Sequence, residues 1–229
     1  MTQRFVALVP AAGSGSRFGG PSPKQYLQLS GRPLMWHTLR TLASVPAIDR
    51  VVVVLSPSDE WFDDFEWDIP GLEVLRVGGA TRAQTVASGL ANLGLGARDW
   101  VLVHDAARCC LSVAAVERLI AEVADDEVGG LLAVPVPDTV KRSDAGGRVS
   151  STLARSGLWL AQTPQMFRAG LLTDSLSGRL DESVTDEASA IERMGLRPRL
   201  VEGDAANFKV TWPRDLTLAR AILDARKGG

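Results

Sequence analysis

The chain has 229 residues, of which 23% are charged and 45% hydrophobic, and its formal net charge at pH 7 is −2. A chain of this length can bury a sizeable core as one domain. The near-neutral charge argues against a nucleic-acid or anionic-membrane binder, so any anion site must be local. No apolar run approaches the length of a membrane span, and the first residues show no signal-peptide pattern. We therefore expect a cytoplasmic protein with neither nucleic acid nor a membrane as partner.

A glycine-rich segment directly follows the first predicted strand, the apolar run 5–9. Open α/β sheets bind ligands at the carboxyl ends of their central strands, so this segment is expected to bind phosphate. Gly13 and Gly15 let backbone N–H groups approach anionic oxygens, and Arg17 and Lys24 add two positive charges. Taken alone, the loop also fits an ordinary glycine-rich connection that carries surface charges.

Two familiar glycine motifs do not match this segment. A P-loop needs Gly-Lys followed by Ser or Thr, but Lys24 stands between Pro23 and Gln25. A dinucleotide-binding motif needs Gly or Ala at the position of Phe18, and the second predicted strand does not end in an acidic ribose ligand. The loop is therefore expected to bind phosphate in another way.

Strand and helix patterns alternate along the chain, beginning with a β-α-β unit, which predicts an open α/β sheet. The predicted strands are 5–9, 51–55, 72–77, 100–104 and 130–134, with a last short strand at 207–211. The predicted helices are 33–45, a short amphipathic helix within 59–69, one after Gly79, one after Ser112, 165–177, 186–194 with Thr185 as its cap, and one from Pro213.

Gly78 and Gly79 follow the third predicted strand and open a helix. Its N-terminal N–H groups, together with Arg82 and Thr85, can hold a nucleotide. A solvated helix face explains these side chains nearly as well. Under the first interpretation, the N-terminus of this helix again lies at the carboxyl end of a strand.

Asp105 directly follows the fourth predicted strand. A carboxylate at that position, with Gly13 and Lys24 on neighbouring strand ends, can ligate Mg²⁺ bound to phosphates. Arg108 can face the same crevice. The alternative is that Asp105 caps the next helix, but Ser112 is better placed as that cap.

Lys209, Cys109 and Cys110 can each be interpreted either as structural residues or as functional ones. Lys209 alternates away from its apolar neighbours and can point into the crevice, although a surface lysine is the default. Cys109 and Cys110 are adjacent, which suits neither a structural disulfide nor a zinc site. We interpret them as reduced, buried thiols, with a reactive thiol as the alternative.

Residues 136–157 have the pattern of a long β-hairpin. Two β-prone runs, 139–142 and 149–153, flank a polar turn that contains two glycines. A hairpin with so little apolar content is marginal alone, so we expect it to pack against another subunit.

Five motifs, in this order and spacing, closely resemble the 2-C-methyl-D-erythritol 4-phosphate cytidylyltransferase family over essentially the whole chain. They are Pro10-Ala-Ala-Gly-Ser-Gly-Ser-Arg17 with Pro23-Lys-Gln25, His104-Asp-Ala-Ala-Arg108, Asp138-Thr139, Thr185-Asp-Glu-Ala-Ser189 and Asn207-Phe-Lys-Val-Thr211. The first motif alone marks only the wider class of sugar nucleotidyltransferases, whereas the later four are much more specific.

The resemblance implies an α/β fold with a Rossmann-like, mostly parallel mixed sheet flanked by helices. It implies a single nucleotidyltransferase domain over 1–229, with a projecting β-arm at about 136–157 and without a following cyclodiphosphate synthase domain. The implied reaction transfers CMP from CTP to 2-C-methyl-D-erythritol 4-phosphate, giving 4-diphosphocytidyl-2-C-methyl-D-erythritol and pyrophosphate in non-mevalonate isoprenoid biosynthesis. Mg²⁺ is the implied cofactor, and the implied assembly is a homodimer in which the arm crosses to the partner.

By position, the resemblance also implies a role for residues in each motif. Catalysis falls to Arg17, Lys24 and Lys209. Nucleotide binding falls to Pro10, Ala11, Ala12, Gly13, Gly15, Gly79, Arg82, Thr85, Asp105 and Ala106. Binding of the acceptor falls to Asp105, Arg108, Thr139, Arg155, Thr185 and Lys209, and Asp105 is the implied metal ligand.

The chain departs from the family pattern at two positions. Cys109 stands where we expect proline, and Ser16 stands where many relatives have a second basic residue. Neither change removes a residue that the proposed reaction needs. Two other functions stay open at this point: a D-ribitol 5-phosphate cytidylyltransferase, and a nucleotide-binding protein without catalytic activity.

Overall fold

A computed structural model of the chain describes residues 3–13, 22–178 and 184–227. The strands are β1 Phe5–Pro10, β2 Gln28–Leu29, β3 Arg32–Pro33, β4 Arg50–Val54, β5 Leu72–Leu75, β6 Trp100–Val103, β7 Gly129–Pro135, β8 Val140–Ser143, β9 Val149–Leu153, β10 Trp159–Arg168 and β11 Arg199–Glu202. The α-helices are α1 Leu34–Ala43, α2 Arg82–Ala91, α3 Val113–Val123, α4 Ala169–Leu176, α5 Glu187–Glu192 and α6 Pro213–Lys227.

The main sheet has seven strands in the order β11-β7-β10-β6-β1-β4-β5. β10 runs antiparallel to both of its neighbours, and the other adjacent pairs are parallel. The parallel pairing brings the carboxyl ends of β1, β4 and β6 to one edge of the sheet. The prediction of a mostly parallel, mixed Rossmann-like sheet flanked by helices is confirmed.

Alternating side chains of the central strands build two cores, one on each face of the sheet. In β1, Val6 and Leu8 pack with α2, α4 and α5, whereas Ala7 and Val9 pack with α1 and α3. All four side chains are fully buried, and burial of a valine or leucine side chain contributes about 1.5–3 kcal/mol. The sheet is thus a rigid middle layer from which the loops at its carboxyl edge extend.

A smaller apolar cluster joins α6 to the segment that follows β6. It contains Cys109, Cys110, Val210 and Ala219, all of them buried. The two cysteines are free thiols whose Sγ atoms lie 4.0 Å apart, which agrees with the expectation of buried thiols. The cluster fixes the segment that carries Val210 against the end of the main sheet.

β8 and β9 form a separate two-stranded antiparallel sheet whose side chains are mostly exposed. At its tip, the Asp144 carboxylate accepts hydrogen bonds from the N–H groups of Gly146 and Arg148, both at 2.9 Å. Gly147 has a φ of +74°, a conformation that suits glycine. The predicted projecting hairpin is confirmed.

Three local predictions are wrong. Within 59–69 the chain forms only a 3-10 turn at Phe62–Asp64. The helix predicted over 165–177 begins only at Ala169, because the preceding residues pair with β6 and β7. Asn207–Thr211 is irregular rather than a strand, and is held by a hydrogen bond from Val210 N–H to the Ala107 carbonyl, 2.8 Å.

The predicted cap of α5 is also wrong. Asp186, not Thr185, is the N-cap, since its carboxylate accepts a hydrogen bond from Ser189 N–H at 2.9 Å. The Thr185 N–H donates to the Ser189 hydroxyl at 3.0 Å instead. Thr185 therefore belongs to the segment that leads into the helix.

No helix among the described residues is both long enough and apolar enough to span a bilayer. The organisation of 1–229 as one nucleotidyltransferase domain stays a prediction.

Candidate active site

A cavity of about 780 Å³ opens at the carboxyl edge of the main sheet, a volume typical of a small-molecule site. The residues predicted for the site that line this cavity are Pro10, Ala11, Ala12, Gly13, Lys24, Gly79, Arg82, Thr85, Asp105, Ala106, Thr185 and Lys209. Gly15 and Arg17 lie outside the described residues, and Arg108 contacts Asp105 without lining the cavity. The sheet thus brings together segments that are up to about two hundred positions apart in sequence.

The floor of the cavity is a close approach between the segments after β1 and β5. Ala11 N–H donates to the Val54 carbonyl and Gly78 N–H to the Leu55 carbonyl, both at 2.8 Å. A Cβ at position 78 would lie 2.4 Å from the Ala12 Cβ and 2.7 Å from the Leu55 oxygen. Only glycine fits there, so the first glycine of the Gly78-Gly79 pair is required for packing.

Two side chains hold the loop entering the site and the α2 terminus. Gln25 Nε2 donates to the carbonyls of Ala11 and Gly13, at 3.0 and 3.2 Å. The Thr85 hydroxyl donates to the Thr81 carbonyl at 2.9 Å and lies 3.2 Å from Gly79 N–H, from which it accepts. Thr85 is buried, so its hydroxyl shapes the turn before α2 whatever else it contacts.

Asp105 is the centre of the polar contacts in the cavity. Its Oδ1 accepts a hydrogen bond from Arg82 Nε at 2.9 Å, and its Oδ2 lies 2.9 Å from Lys209 Nζ and 3.4 Å from Arg108 Nε. Burial alone would raise the pKa of Asp105, but Arg82, Lys209 and Arg108 together lower that pKa well below its usual range. Asp105 is therefore an ionised carboxylate near neutral pH, surrounded by three cations.

A hydrogen-bonded chain beneath the cavity fixes the backbone of Asp105. The Asp105 N–H donates to Thr163 Oγ1 at 3.0 Å, and Thr163 Oγ1 lies 2.9 Å from His104 Nδ1. His104 Nε2 lies 3.3 Å from the Arg108 carbonyl. Burial lowers the pKa of His104 to about 4, so the ring is neutral, with Nε2–H donating to the carbonyl and Nδ1 accepting from Thr163.

The lysines of the site come from different parts of the chain. Lys24 Nζ donates to the Val210 carbonyl at 2.9 Å, which brings its ammonium group next to the segment that carries Lys209. From the sequence, the default interpretation of Lys209 is a surface lysine. In the structure it lines the cavity and pairs with Asp105. Of the two interpretations left open, the structure supports the one in which Lys209 faces the crevice.

Arg108 and Thr163 are joined by Asn207. Arg108 Nη1 donates to the Asn207 carbonyl at 2.8 Å, and Asn207 Nδ2 donates to the Thr163 carbonyl at 2.8 Å. Asn207 is fully buried and lies two positions before Lys209. It therefore positions the lysine-bearing segment against the bulge of β10.

The sequence did not predict the roles of three residues at the site. Thr163 and Asn207 hold the backbone of the site in place, and Glu187 pairs with Arg82. Glu187 is buried and pairs with Arg82, with Oε1 at 2.6 Å from Nη1 and Oε2 at 2.9 Å from Nη2. In the sequence it looked like an acidic residue in the first turn of a helix, which has its own electrostatic explanation. The sequence pattern alone does not distinguish such a first-turn acid from a buried glutamate that pairs with an arginine.

Thr139 and Arg155, predicted to bind the acceptor, do not line the cavity of their own chain. Arg155 Nη1 donates to the Pro137 carbonyl at the base of the arm. Arg155 and Pro137 line a second cavity of about 510 Å³, together with Trp159. Within one chain, the structure does not bring these residues together with the Asp105 cluster.

A parallel-strand edge that carries Gly13, Gly78 and Gly79, a helix N-terminus and clustered cations is typical of an α/β protein of the nucleotide-binding class. The family model "2-C-methyl-D-erythritol 4-phosphate cytidylyltransferase" matches residues 5–225. The chain belongs to this family of cytidylyltransferases, which are nucleotidyltransferases, and the resemblance seen in the motifs is confirmed.

Relatives of that name match nearly end to end. The chain is 72% identical to the protein of Chromobacterium violaceum over 97% of its own length and 99% of the relative's. It is 63% identical to the protein of Laribacter hongkongensis, over 99% of each chain. It is also similar to a solved 4-diphosphocytidyl-2C-methyl-D-erythritol synthase, with a TM-score of 0.87, 43% identity and coverage of 98% and 100%.

Gly78→Ala is expected to lower the free energy of unfolding by about 1–3 kcal/mol, because the new methyl group would overlap Ala12 and Leu55. Urea unfolding measures this loss. Gly178→Ala is the control, since nothing lies within 4 Å of a Cβ built there. Equal unfolding free energies for Gly78→Ala and the unsubstituted protein would contradict the close approach.

Proposed function

We propose that this chain transfers CMP from CTP to 2-C-methyl-D-erythritol 4-phosphate, releasing pyrophosphate. Its family membership supports the reaction. The observation that carries the proposal is the cavity in which Asp105, Lys209 and Lys24 converge at the carboxyl edge of the sheet. We further propose that the reaction takes place in the cytoplasm as a step of non-mevalonate isoprenoid biosynthesis.

The charges of the substrates explain why the site gathers cations. A phosphomonoester carries about −1.5 to −2 near neutral pH, and a triphosphate by extension roughly −4, so the two substrates repel each other. Lys24 and Lys209 supply positive charge within the cavity, and we propose that Arg17 adds to it from the glycine loop. Charge-assisted hydrogen bonds from these groups offset the repulsion.

In the proposed reaction, an oxygen of the acceptor phosphate attacks the α-phosphorus of CTP in line, and the bond to the pyrophosphate leaving group breaks. The attacking phosphate is already ionised, so no general base is needed. Catalysis then rests on positioning and on electrostatic stabilisation of the transition state. Lys24 and Lys209 are proposed to stabilise the charge that builds on the transferring group.

The residues present fit a magnesium ion bound through one protein carboxylate. Mg²⁺ in such enzymes is held by one or two carboxylates plus substrate phosphates. A carboxylate has about four lone-pair sites, and Asp105 uses three of them on its cations. Asp105 would hold the ion, which when bound supplies a divalent charge against the phosphates.

The nucleotide is proposed to lie across the glycine loop and the α2 terminus. Residues 10–13, Gly79 and Ala106 line the part of the cavity available to it. Gly15 is proposed to extend the loop toward the triphosphate. Arg82 and Thr85 are proposed to lie on the cytidine side, where Arg82 keeps N–H donors beyond those it gives to carboxylates.

The acceptor is proposed to bind between two subunits of a homodimer. Arg108, Thr185 and Lys209 would come from one subunit, near the Asp105 cluster. Thr139 and Arg155 would come from the arm of the partner. Their position outside the cavity of their own chain and the exposure of the arm support this arrangement.

Release of pyrophosphate in the presence of Mg²⁺ and CTP tests the reaction directly. With methylerythritol phosphate and ribitol 5-phosphate offered at equal concentration, we expect turnover with methylerythritol phosphate to dominate. Dominant turnover with ribitol phosphate would move the chain to polyol-phosphate chemistry. No release with either acceptor, while CTP still binds, would indicate a nucleotide-binding protein without catalytic activity.

Co-expression of two inactive variants tests the shared site. Lys209→Ala removes a residue of the cavity, and Arg155→Ala removes a residue of the arm. If the arm acts on the partner's cavity, each mixed dimer has one complete site, and random pairing restores about a quarter of the unsubstituted activity. No gain over the separate variants would show that the arm does not serve the partner.

A further inference from the structure

Arg82 divides its hydrogen bonds between two buried carboxylates from different parts of the fold. Its Nη1 and Nη2 donate to the two oxygens of Glu187, at 2.6 and 2.9 Å, while its Nε donates to Asp105 Oδ1 at 2.9 Å. The side chains of Glu187 and Asp105 are 2% and 9% exposed. Arg82 therefore makes a bidentate pair with Glu187 and donates only one hydrogen bond to Asp105.

The unequal division matters because Asp105 has two further cations, Lys209 and Arg108, that both contact its Oδ2. Lys209 Nζ lies 2.9 Å from Asp105 Oδ2. A guanidinium group pairs most strongly when two parallel N–H groups meet both oxygens of one carboxylate. If Arg82 were free to pair with Asp105 in this way, it would compete with Lys209 and Arg108 for Oδ2.

We propose that Glu187 is a positioning residue: it keeps the paired Nη donors of Arg82 away from Asp105, so that Asp105 Oδ2 stays available to Lys209. Glu187 touches no substrate in this role. It acts through Arg82, and its effect on the reaction passes through the position of the Lys209 ammonium group. The kinetic consequence rests on the proposed function, whereas the structural consequence does not.

α5 holds Glu187 in place without help from Arg82. Gln165, a buried residue of β10, accepts from Ala188 N–H at 2.7 Å and donates from Nε2 to Asp186 Oδ2 at 2.8 Å. The Asp186 cap further fixes the first turn. A change at position 187 therefore alters the partner of Arg82 while the backbone of α5 stays anchored to the main sheet.

The charge balance supports a role beyond pairing one buried arginine. Arg82, Arg108 and Lys209 surround Asp105, and Glu187 is the second carboxylate of this network, which leaves a net charge of +1. Without Glu187, Asp105 would be the only carboxylate facing those three cations among the contacts described. Arg82 would then pair with both oxygens of Asp105 and displace Lys209 from Oδ2.

Glu187→Gln keeps the size of the side chain but replaces one acceptor oxygen by a donor. We expect kcat for pyrophosphate release to fall about 10- to 100-fold, the range found when residues that orient metal ligands are replaced, with a smaller change in the KM for CTP. Glu192→Gln, at an exposed position of the same helix, is the control and should leave both constants unchanged. Glu187→Asp, which keeps the charge, should lose less and serves if the glutamine variant does not fold.

A double-mutant cycle tests whether Glu187 acts through Arg82, and the structure of the variant separates positioning from a merely structural role. In a double-mutant cycle, Glu187→Gln should add little to the loss already caused by Arg82→Lys, because both changes act through one guanidinium group. A crystal structure of Glu187→Gln should show Arg82 paired with both oxygens of Asp105 and Lys209 displaced from Oδ2.

Additive losses in the cycle, an unchanged kcat, or an intact Lys209–Asp105 pair in the variant structure would overturn the proposal. If the unsubstituted protein releases no pyrophosphate, the proposed function fails. The variant structure then decides the positioning role by itself.

Discussion

The structure depends on one buried carboxylate. Asp105 lies where β6 ends, with Arg82, Arg108 and Lys209 on its two oxygens. Removal of one partner from a buried ion pair typically costs about 3–5 kcal/mol, because the other charge stays buried and unpaired. Each of the three cations comes from a different segment, so satisfying Asp105 also fixes the relative positions of α2, the segment after β6 and the segment before α6.

The rest of the fold holds that carboxylate in place. The irregular pairing of β10 between Ala161 and Gln165 puts Thr163 under Asp105, where it accepts from the Asp105 N–H. The neutral ring of His104 connects Thr163 to the Arg108 carbonyl. An antiparallel strand inside a mostly parallel sheet thus acts as a support for the site. Such a preorganised set of charges can stabilise a transition state without rearranging during the reaction.

Apolar periodicity predicted the central strands β1, β4 and β6 and the helices beside them, because these elements bury uninterrupted or regularly spaced apolar side chains. It failed at β10, where the buried polar residues Gln162, Thr163 and Gln165 interrupt the apolar pattern. Asp105 was identified from the sequence because it follows a predicted strand. Glu187 was not identified, because an acidic residue is common in the first turn of a helix. Its partner lies 105 positions away, and no local pattern records such a pairing.

Steady-state kinetics of Lys209→Ala tests the central claim, that the Asp105 cluster exists to place a cation on the reacting phosphates. The account predicts a fall in kcat of at least about 100-fold, as when one preorganised charge donor is removed, with a smaller change in the KM for CTP. Arg220→Ala, at an exposed position of α6, should leave kcat unchanged. A kcat for Lys209→Ala equal to that of the unsubstituted protein would contradict the account.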